Sequence, residues 1–351
     1  MKLTAKEQQH YSRHLILDEL GEAGQLKLKK AKVLVVGAGG LGCPVLQYLT
    51  AAGVGTIGIV DDDVVEASNL QRQVLFTYED IGVSKTVAAV ARLAGLNPFV
   101  NFKTYQEKLT RENAIELFTQ FDIVVDGSDN FPTRYLCNDA AVLTSKPLVF
   151  GAIYKFEGQV SVFNYQKGPS YRCLYPNAPK PTEVPNCSEI GVLGVLPGII
   201  GSLQANEVLK IICGLGSVLR GKLLTFDALK MQQFLINFEK TDEAKRSKLQ
   251  ANYDLFCGIS VPTKEISLHH LENNKKKYNL LDVREEEERA AYHIGGIHIP
   301  LGALKYRLDE IRQDKSLVVY CKSGIRSKRA IELLRAHQVS CTLINLKGGC
   351  F

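Results

Sequence analysis

Residues 31–42 read AKVLVVGAGGLG. A continuous apolar run ends in a cluster of glycines, and a stretch of helical character, 42–52, follows. A second apolar run, TIGIV, closes on Asp61. Strand, glycine turn, helix and strand make a βαβ unit. Gly37, Gly39, Gly40 and Gly42 let the backbone approach phosphate oxygens, and the helix N-terminus offers free N–H groups to an anion. Asp61, about twenty residues on, stands where a carboxylate can hold ribose hydroxyls.

Outward from this unit the alternation continues. A helix-like SKTVAAVARLAG covers 84–95, and DIVVDG (122–127) and PLVFG (147–151) read as strands, which predicts a mostly parallel sheet. From 159 the texture changes. QVSVFNY, KLLTFDA (222–228) and QQFLINFE (232–239) look like antiparallel strands, around a long apolar helix at 194–213. Residues 165–190 form a long loop rich in Pro, Asn, Lys and Tyr. The expectation is an α/β chain: a Rossmann-like mixed-sheet domain over 1–245, a charged and irregular linker at 246–263, and a smaller α/β domain over 264–351. In the latter, YNLLDVR and SLVVYC read as strands, with helices over 301–313 and 327–338. Ala330, Leu333 and Leu334 give the last helix its apolar face.

A length of 351 residues agrees with two domains, and 45% hydrophobic with 23% charged residues is a globular balance. The net charge of +6 permits a nucleotide or an acidic protein partner. No Lys/Arg block lies beside aromatics, so nucleic acid is not expected as a partner. No stretch reaches the roughly 18 apolar residues of a membrane span, and MKLTAKEQQHYSRH lacks the apolar core of a signal peptide. No membrane partner is expected, and a cytoplasmic location is. Nine cysteines in such a chain read as core residues, metal ligands or reactive thiols.

Taken alone, the glycine cluster also suits an NAD(P)-dependent oxidoreductase. The residues after it point elsewhere. Asp61-Asp62-Asp63 is followed by Ser68-Asn69-Leu70-Gln71-Arg72-Gln73 and by Lys85. Cations near the phosphates serve a triphosphate attacked at its α-phosphorus, where charge builds on departing pyrophosphate. Asp129-Asn130 follows the next strand, where a carboxylate and phosphates can share Mg²⁺.

GAGGLG, the DDD-x4-SNLQRQ block, Lys85, DGSDN (126–130) and NCSEIGVLG (186–194) together resemble the MoeB/ThiF family, over roughly residues 4–240. These are relatives of ubiquitin-activating enzymes. The resemblance implies adenylation, with ATP and Mg²⁺, of the C-terminal Gly-Gly carboxylate of a ubiquitin-like sulfur-carrier protein. It places Gly39 and its neighbours under the nucleotide, Asp61 on the ribose, Asn69, Arg72 and Lys85 on the phosphates, and Asp129 on Mg²⁺. It also implies a homodimer, in which Arg13 of YSRHLIL reaches the neighbouring subunit's site.

Cys187, in Pro-Asn-Cys-Ser-Glu just before a helix, is a candidate nucleophile; a helix N-terminus lowers a thiol pKa. In the family the matching cysteine of some members bonds covalently to the carrier. Many relatives hold zinc on two C-x-x-C pairs. Here these places read Ser170-Tyr171-Arg172-Cys173 and Asp254-Leu255-Phe256-Cys257, so no tightly bound zinc is expected. Cys43, Cys137, Cys213 and Cys341 lie in apolar surroundings and read as core.

Cys321-Lys322-Ser323-Gly324-Ile325-Arg326-Ser327 joins an apolar strand to a helix. Backbone N–H groups there can wrap a thiolate or a persulfide, with Arg326 favouring the anion. Four residues separate Cys321 from Arg326, one fewer than in a C-x5-R phosphatase loop. The loop, LDVRE (281–285) and HIGGIHIP (293–300) resemble rhodaneses. The helix that usually follows L-x-G-G in rhodaneses has no counterpart before Phe351, so a shortened domain is expected. The joint expectation is adenylation followed by transfer of sulfur from Cys321, with a cysteine desulfurase or other sulfur donor as a further partner. The alternatives are the NAD(P) oxidoreductase and a non-catalytic adaptor with an inactive rhodanese-like domain.

Overall fold

The computed structural model describes residues 2–179, 191–242, 245–258, 263–337 and 339–350. The chain forms two compact units, Met1–Gln250 and Ala251–Phe351. Both are α/β.

The first unit is built on an eight-stranded sheet. Its strands are β1 (Lys32–Val36), β2 (Thr56–Val60), β3 (Asn101–Tyr105), β4 (Ile123–Asp126), β5 (Leu148–Tyr154), β6 (Glu157–Phe163), β7 (Lys222–Asp227) and β8 (Gln232–Asn237). The order is β3-β2-β1-β4-β5-β6-β7-β8. Strands β1 to β5 pair in parallel, and β5 to β8 antiparallel. Apart from Lys32, Thr56 and Asp126 at their ends, strands β1, β2 and β4 are apolar, and all their residues but the first of β1 and of β2 are buried, as befits a sheet covered on both faces. Val33, Val35, Ile57 and Ile59 pack with Leu46 and Leu49 of the helix Gly42–Ala52 and Leu93 of the helix Lys85–Leu96.

The order reverses at β1: β2 is added on one side and β4 on the other. A crevice opens at such a switch point, beyond the carboxyl ends of the strands. The glycine loop enters it directly from β1. Gly37 sits at φ +91°, where its N–H donates to the carbonyl of Val60 at 2.8 Å. A side chain there would meet the Gly127 carbonyl oxygen at 3.0 Å. Gly42 opens the helix, and a Cβ on it would lie 2.0 Å from the carbonyl oxygen of Gly37.

One helix, Val195–Cys213, has the length and hydropathy to cross a membrane, against the expectation that no such stretch exists. In the fold it is a core helix. Leu196 and Ile200 pack with Val160 of β6 and Phe226 of β7, and Gln204, buried, donates to the carbonyl of Asp126 at 2.8 Å. Packing of its buried face accounts for that face's apolar residues without a bilayer.

The second unit holds five parallel strands: β9 (Lys264–Ile266), β10 (Tyr278–Asp282), β11 (Ile297–His298), β12 (Ser316–Tyr320) and β13 (Leu343–Leu346), ordered β11-β10-β12-β13-β9. Val319 and Leu281 face one apolar cluster with Ile331 and Leu334; Val318, Leu280 and Ile344 face another with Leu271. The helix expected over 301–313 is not continuous. The segment forms two short 3-10 turns, Leu304–Tyr306 and Leu308–Glu310. Leu301, Leu304, Leu308 and Ile311 all turn into the core, and spacings of three and four residues serve 3-10 turns as well as an α-helix.

Gly42→Ala is expected to destabilise the first unit by about 2 kcal/mol or more, because the added methyl meets main chain that has no room to retreat. Chemical denaturation of the variant beside the wild type measures it.

Candidate functional site

A pocket of about 510 Å³ fills the crevice at the switch point. Its walls come from the glycine loop after β1, the Asp61–Asp63 segment after β2, the Ser68–Gln73 segment, Lys85, and the Gly127–Asn130 segment after β4. It thus brings together Gly37, Gly39, Gly40, Asp61, Asn69, Arg72, Lys85, Asp129 and Asn130. Its volume falls in the ordinary range for a small-molecule site.

Asp61 is bound into the loop it was expected to serve. Its Oδ2 accepts from the Ala38 N–H at 2.7 Å and its Oδ1 from the Asp63 N–H at 2.9 Å. Burial pushes its carboxyl above the ordinary value, against the opposing pull of Lys85 and these two N–H groups. Each oxygen keeps a second lone pair for a ligand hydroxyl. Lys85 is buried, and its Nζ lies 2.7 Å from Asp63, whose carboxylate is two-thirds exposed. An exposed carboxylate is a weak competitor for that cation, so an incoming phosphate can displace it. Arg72 reaches the Ser68 carbonyl at 3.1 Å, which leaves the other face of its guanidinium fork available. Asn69, buried, accepts from the Glu66 N–H at 3.2 Å. Asn130 caps the helix Phe131–Leu143 by accepting from Thr133 at 3.0 Å. Asp129 is exposed on the pocket wall.

Two expected residues lie outside this wall. Gly42 serves the close packing described above. Arg13 is exposed on the short helix Ser12–Leu15, followed by exposed Ile16 and Leu17. Cys187 lies outside the described residues.

The pocket also contains residues that no motif singled out. Gln73 is buried with its Oε1 unpartnered, and a Cβ on Gly39 would stand 3.8 Å from its Nε2. The SNLQRQ block contains Gln73, but nothing in its spacing separates it from packing. Lys108 lines the pocket just past β3. Only strand order, which brings β3 beside β2, marks it. Among the described residues, Asp61, Asp62 and Asp63 form the one acidic or thiol group compact enough to hold a metal ion, with ligand atoms within 4.8 Å.

Of the expected core cysteines, Cys43, Cys137 and Cys213 are buried, and burial pushes the Cys43 thiol up to about 12. Cys341 is half-buried. Cys173 accepts from the N–H groups of Ser170 and Thr241 at 3.3 and 3.4 Å. Beside it Arg172, fully buried, grips Asp139 through Nε and Nη2 at 2.7 and 2.8 Å.

The second site begins where β12 ends. Cys321 is buried, and its Sγ accepts from the N–H of Gly324 at 3.2 Å and of Ser327 at 3.4 Å. Gly324 takes φ +86°, which turns the loop so that both N–H groups converge on sulfur. Burial opposes ionisation of Cys321, but the hydrogen bonds from Ser327, Ser323 and Gly324 together outweigh it and hold the thiol below its ordinary value. Arg326 is not free to approach the sulfur. Its guanidinium forms a fork with Glu288, both N···O distances 2.6 Å.

The ThiF family profile matches residues 11–250, and the rhodanese-like domain profile matches 267–351. The chain belongs to the ThiF family. It is similar to the probable adenylyltransferase/sulfurtransferase MoeZ of Mycobacterium tuberculosis, 42% identical over 99% of this chain and 93% of the relative. It is similar to the sulfur carrier protein adenylyltransferase of Thermus thermophilus, 52% identical over 74% of this chain and all of the relative. A third relative, adenylyltransferase and sulfurtransferase MOCS3 of Xenopus laevis, is 42% identical over 93% and 80%. Among solved structures, Escherichia coli MccB with ATP shares the fold at TM-score 0.55, covering 63% of this chain and 67% of that one at 24% identity. This ThiF-family chain is therefore an enzyme of the adenylyltransferase and sulfurtransferase kind.

The Glu288 clamp has a pH signature. Arg326 holds its carboxyl down at about 2 from an ordinary 4.5. A depressed carboxyl stabilises the fold above its unfolded pKa and loses that contribution as pH falls through the folded one. The clamp is expected to be intact above pH about 4.5 and to open toward pH about 2. Carboxyl titration by NMR, with Glu288→Gln as the assignment control, follows it.

Proposed function

We propose that this chain uses ATP to adenylate the C-terminal Gly-Gly carboxylate of a ubiquitin-like sulfur-carrier protein, and that Cys321 then supplies sulfur to the activated carboxyl. The observation that carries the reading is the convergence, in one crevice, of the glycine loop, Asp61, Asn69, Arg72, Lys85 and Asp129. An NAD(P) site has no use for two further cations beside the glycine loop. A triphosphate does.

In this reading the glycine loop and the Asp61 segment seat the nucleotide. The carrier carboxylate attacks the α-phosphorus, the bond to the β-phosphate oxygen breaks, and pyrophosphate leaves with the charge. Lys85 and Arg72 stand where fixed positive charge offsets that development, and Lys85 passes from Asp63 to phosphate. The acidic wall suits a divalent cation carried in with the nucleotide. Asp129, which carries none of the loop's own hydrogen bonds, is the carboxylate we assign to Mg²⁺, which when bound supplies further neutralisation of phosphate charge. Asp61 is committed to the loop backbone.

The product, an acyl adenylate, is attacked at its carbonyl carbon by the terminal sulfur of a Cys321 persulfide, and AMP departs. The acyl disulfide is cleaved by a thiol, Cys187 or an external one. This releases the thiocarboxylate and leaves a disulfide on Cys321. The backbone N–H pair that holds Cys321 stabilises the persulfide anion before it attacks, and the charge then leaves on the thiocarboxylate. Arg13, outside its own pocket, serves the pocket of a second subunit in a homodimer.

Intact mass spectrometry of Gly-Gly carriers incubated with the protein and MgATP tests this. One AMP on a carrier is the expected result. Arg72→Ala is expected to slow adduct formation on the order of 10²-fold, the usual cost of removing one transition-state donor. Cys321→Ala is expected to leave the AMP adduct intact and to abolish sulfur incorporation. Absence of any adduct together with absence of ATP binding overturns the reading.

A further inference from the structure

A chain of three side chains leads away from the Cys321 sulfur. The Ser327 hydroxyl lies 3.5 Å from Sγ and 2.6 Å from Oδ1 of Asn345 on β13. The Asn345 Nδ2 lies 2.9 Å from a carboxylate oxygen of Glu265 on β9. Ser327 and Asn345 are buried, while Glu265 reaches solvent and pairs with Lys328 at 3.0 Å.

The far end of this chain fixes the near end. An ionised carboxylate accepts hydrogen bonds and donates none, so the Asn345 atom facing Glu265 is its nitrogen. The Asn345 amide, first, and then Lys328 hold the Glu265 carboxyl below its ordinary value, which keeps it ionised. The amide oxygen is then turned toward Ser327, and the single Ser327 proton points to Asn345. What Ser327 offers to sulfur is a lone pair. A lone pair suits a neutral thiol, and equally the inner sulfur of a persulfide, whose charge sits on the terminal atom. It does not suit a bare thiolate.

We infer that Asn345 and Glu265 are positioning residues for Cys321, turning the Ser327 proton away from the sulfur so that the main-chain N–H groups alone hold a bare thiolate and the hydroxyl favours the sulfur-loaded form. The inference rests on the reading of Cys321 as the sulfur-bearing residue. The backbone N–H groups of Gly324 and Ser327 stabilise any anion on the loop; the hydroxyl selects which sulfur carries it. The neighbouring ionisable groups are Arg326 at the start of its helix, paired with Glu288, Lys322 on the loop, Asp282 and Arg284 paired at the end of β10, and Cys350, whose N–H donates to the Cys321 carbonyl at 3.1 Å. The variants below leave all of these in place.

The test is the pH profile of Cys321 alkylation by iodoacetamide in the full chain, read by peptide mass spectrometry so that the other thiols do not interfere. In Asn345→Leu the hydroxyl loses its acceptor and turns to sulfur. The midpoint is expected to fall by about one pH unit, the size of one charge-assisted hydrogen bond. Glu265→Ala, at a solvent-reaching position, frees the amide to rotate and is expected to move the midpoint the same way. In a Ser327→Ala background neither substitution is expected to move it, a non-additivity that plain loosening of the loop does not produce. An unchanged or raised midpoint in both single variants overturns the inference, as does a shift that survives Ser327→Ala. Should Asn345→Leu fail to fold, Glu265→Ala alone decides. Thiosulfate loading, followed as one added sulfur on the Cys321 peptide, separates the two readings. Midpoints that move as expected in a protein that takes up no sulfur uphold the positioning roles and defeat only the sulfur-transfer reading.

Discussion

The constraint on which the first unit depends is the reversal of strand order at β1. With β2 and β4 on opposite sides, the chain must leave β1 between two crossovers that diverge, and the crevice between them is where both loops end. The glycine loop can pass there only without side chains at Gly37 and Gly42, because the backbone of Gly127 and of the loop itself occupies the space. Asp61 then locks the loop from the next strand through the Ala38 N–H. The carboxylate expected to touch ribose is, in the fold, the brace of the glycine loop. Its loss would act first on the loop that it braces.

The second unit solves a different electrostatic problem with similar means. A parallel strand, β12, delivers Cys321 to a turn whose N–H groups point inward, as the glycine loop does for the nucleotide. Here the anion is a single sulfur, and two backbone donors serve it directly. The side-chain cation stands back: Arg326 is forked on Glu288, so the positive charge near the loop is already balanced when the site is empty. A guanidinium held this way shapes the loop without adding a fixed net charge, and leaves the sulfur to its main-chain donors.

Most of the scaffold was legible in the sequence, because its signals are local. Continuous apolar runs ending in glycine or aspartate marked β1, β2 and β4, and the Cys321 loop carried its own spacing. Much of the pocket wall from Gly37 to Asn130 followed, since the glycine loop, Asp61 and Gly127–Asn130 lie at the carboxyl ends of strands. What could not be read depends on partners distant in the chain. Lys108 enters the site only because β3 lies beside β2. Asn345 and Glu265 meet Ser327 because β13 lies between β12 and β9. The Glu288 fork joins residues 38 positions apart. The segment 301–313 was misread because its three- and four-residue spacings fit two periodicities, and packing chose 3-10 turns.

The pairing of the two units in one chain has a chemical rationale. An acyl adenylate is a strong electrophile that water destroys, and a persulfide is a nucleophile that thiols discharge. Each is a short-lived partner for the other. Tethering them makes their encounter intramolecular, so its rate is set by an effective concentration and not by the abundance of either species. Preorganisation divides the work further. In the proposed reaction the nucleotide pocket must tolerate charge that grows and then leaves, which buried Lys85, balanced by an exposed and displaceable Asp63, is suited to do. In the proposed persulfide the charge sits on the outermost atom, and a hydroxyl turned away from the inner sulfur favours that placement. In both units the selectivity lies less in the reacting residue than in the neighbour that fixes where its charge can rest.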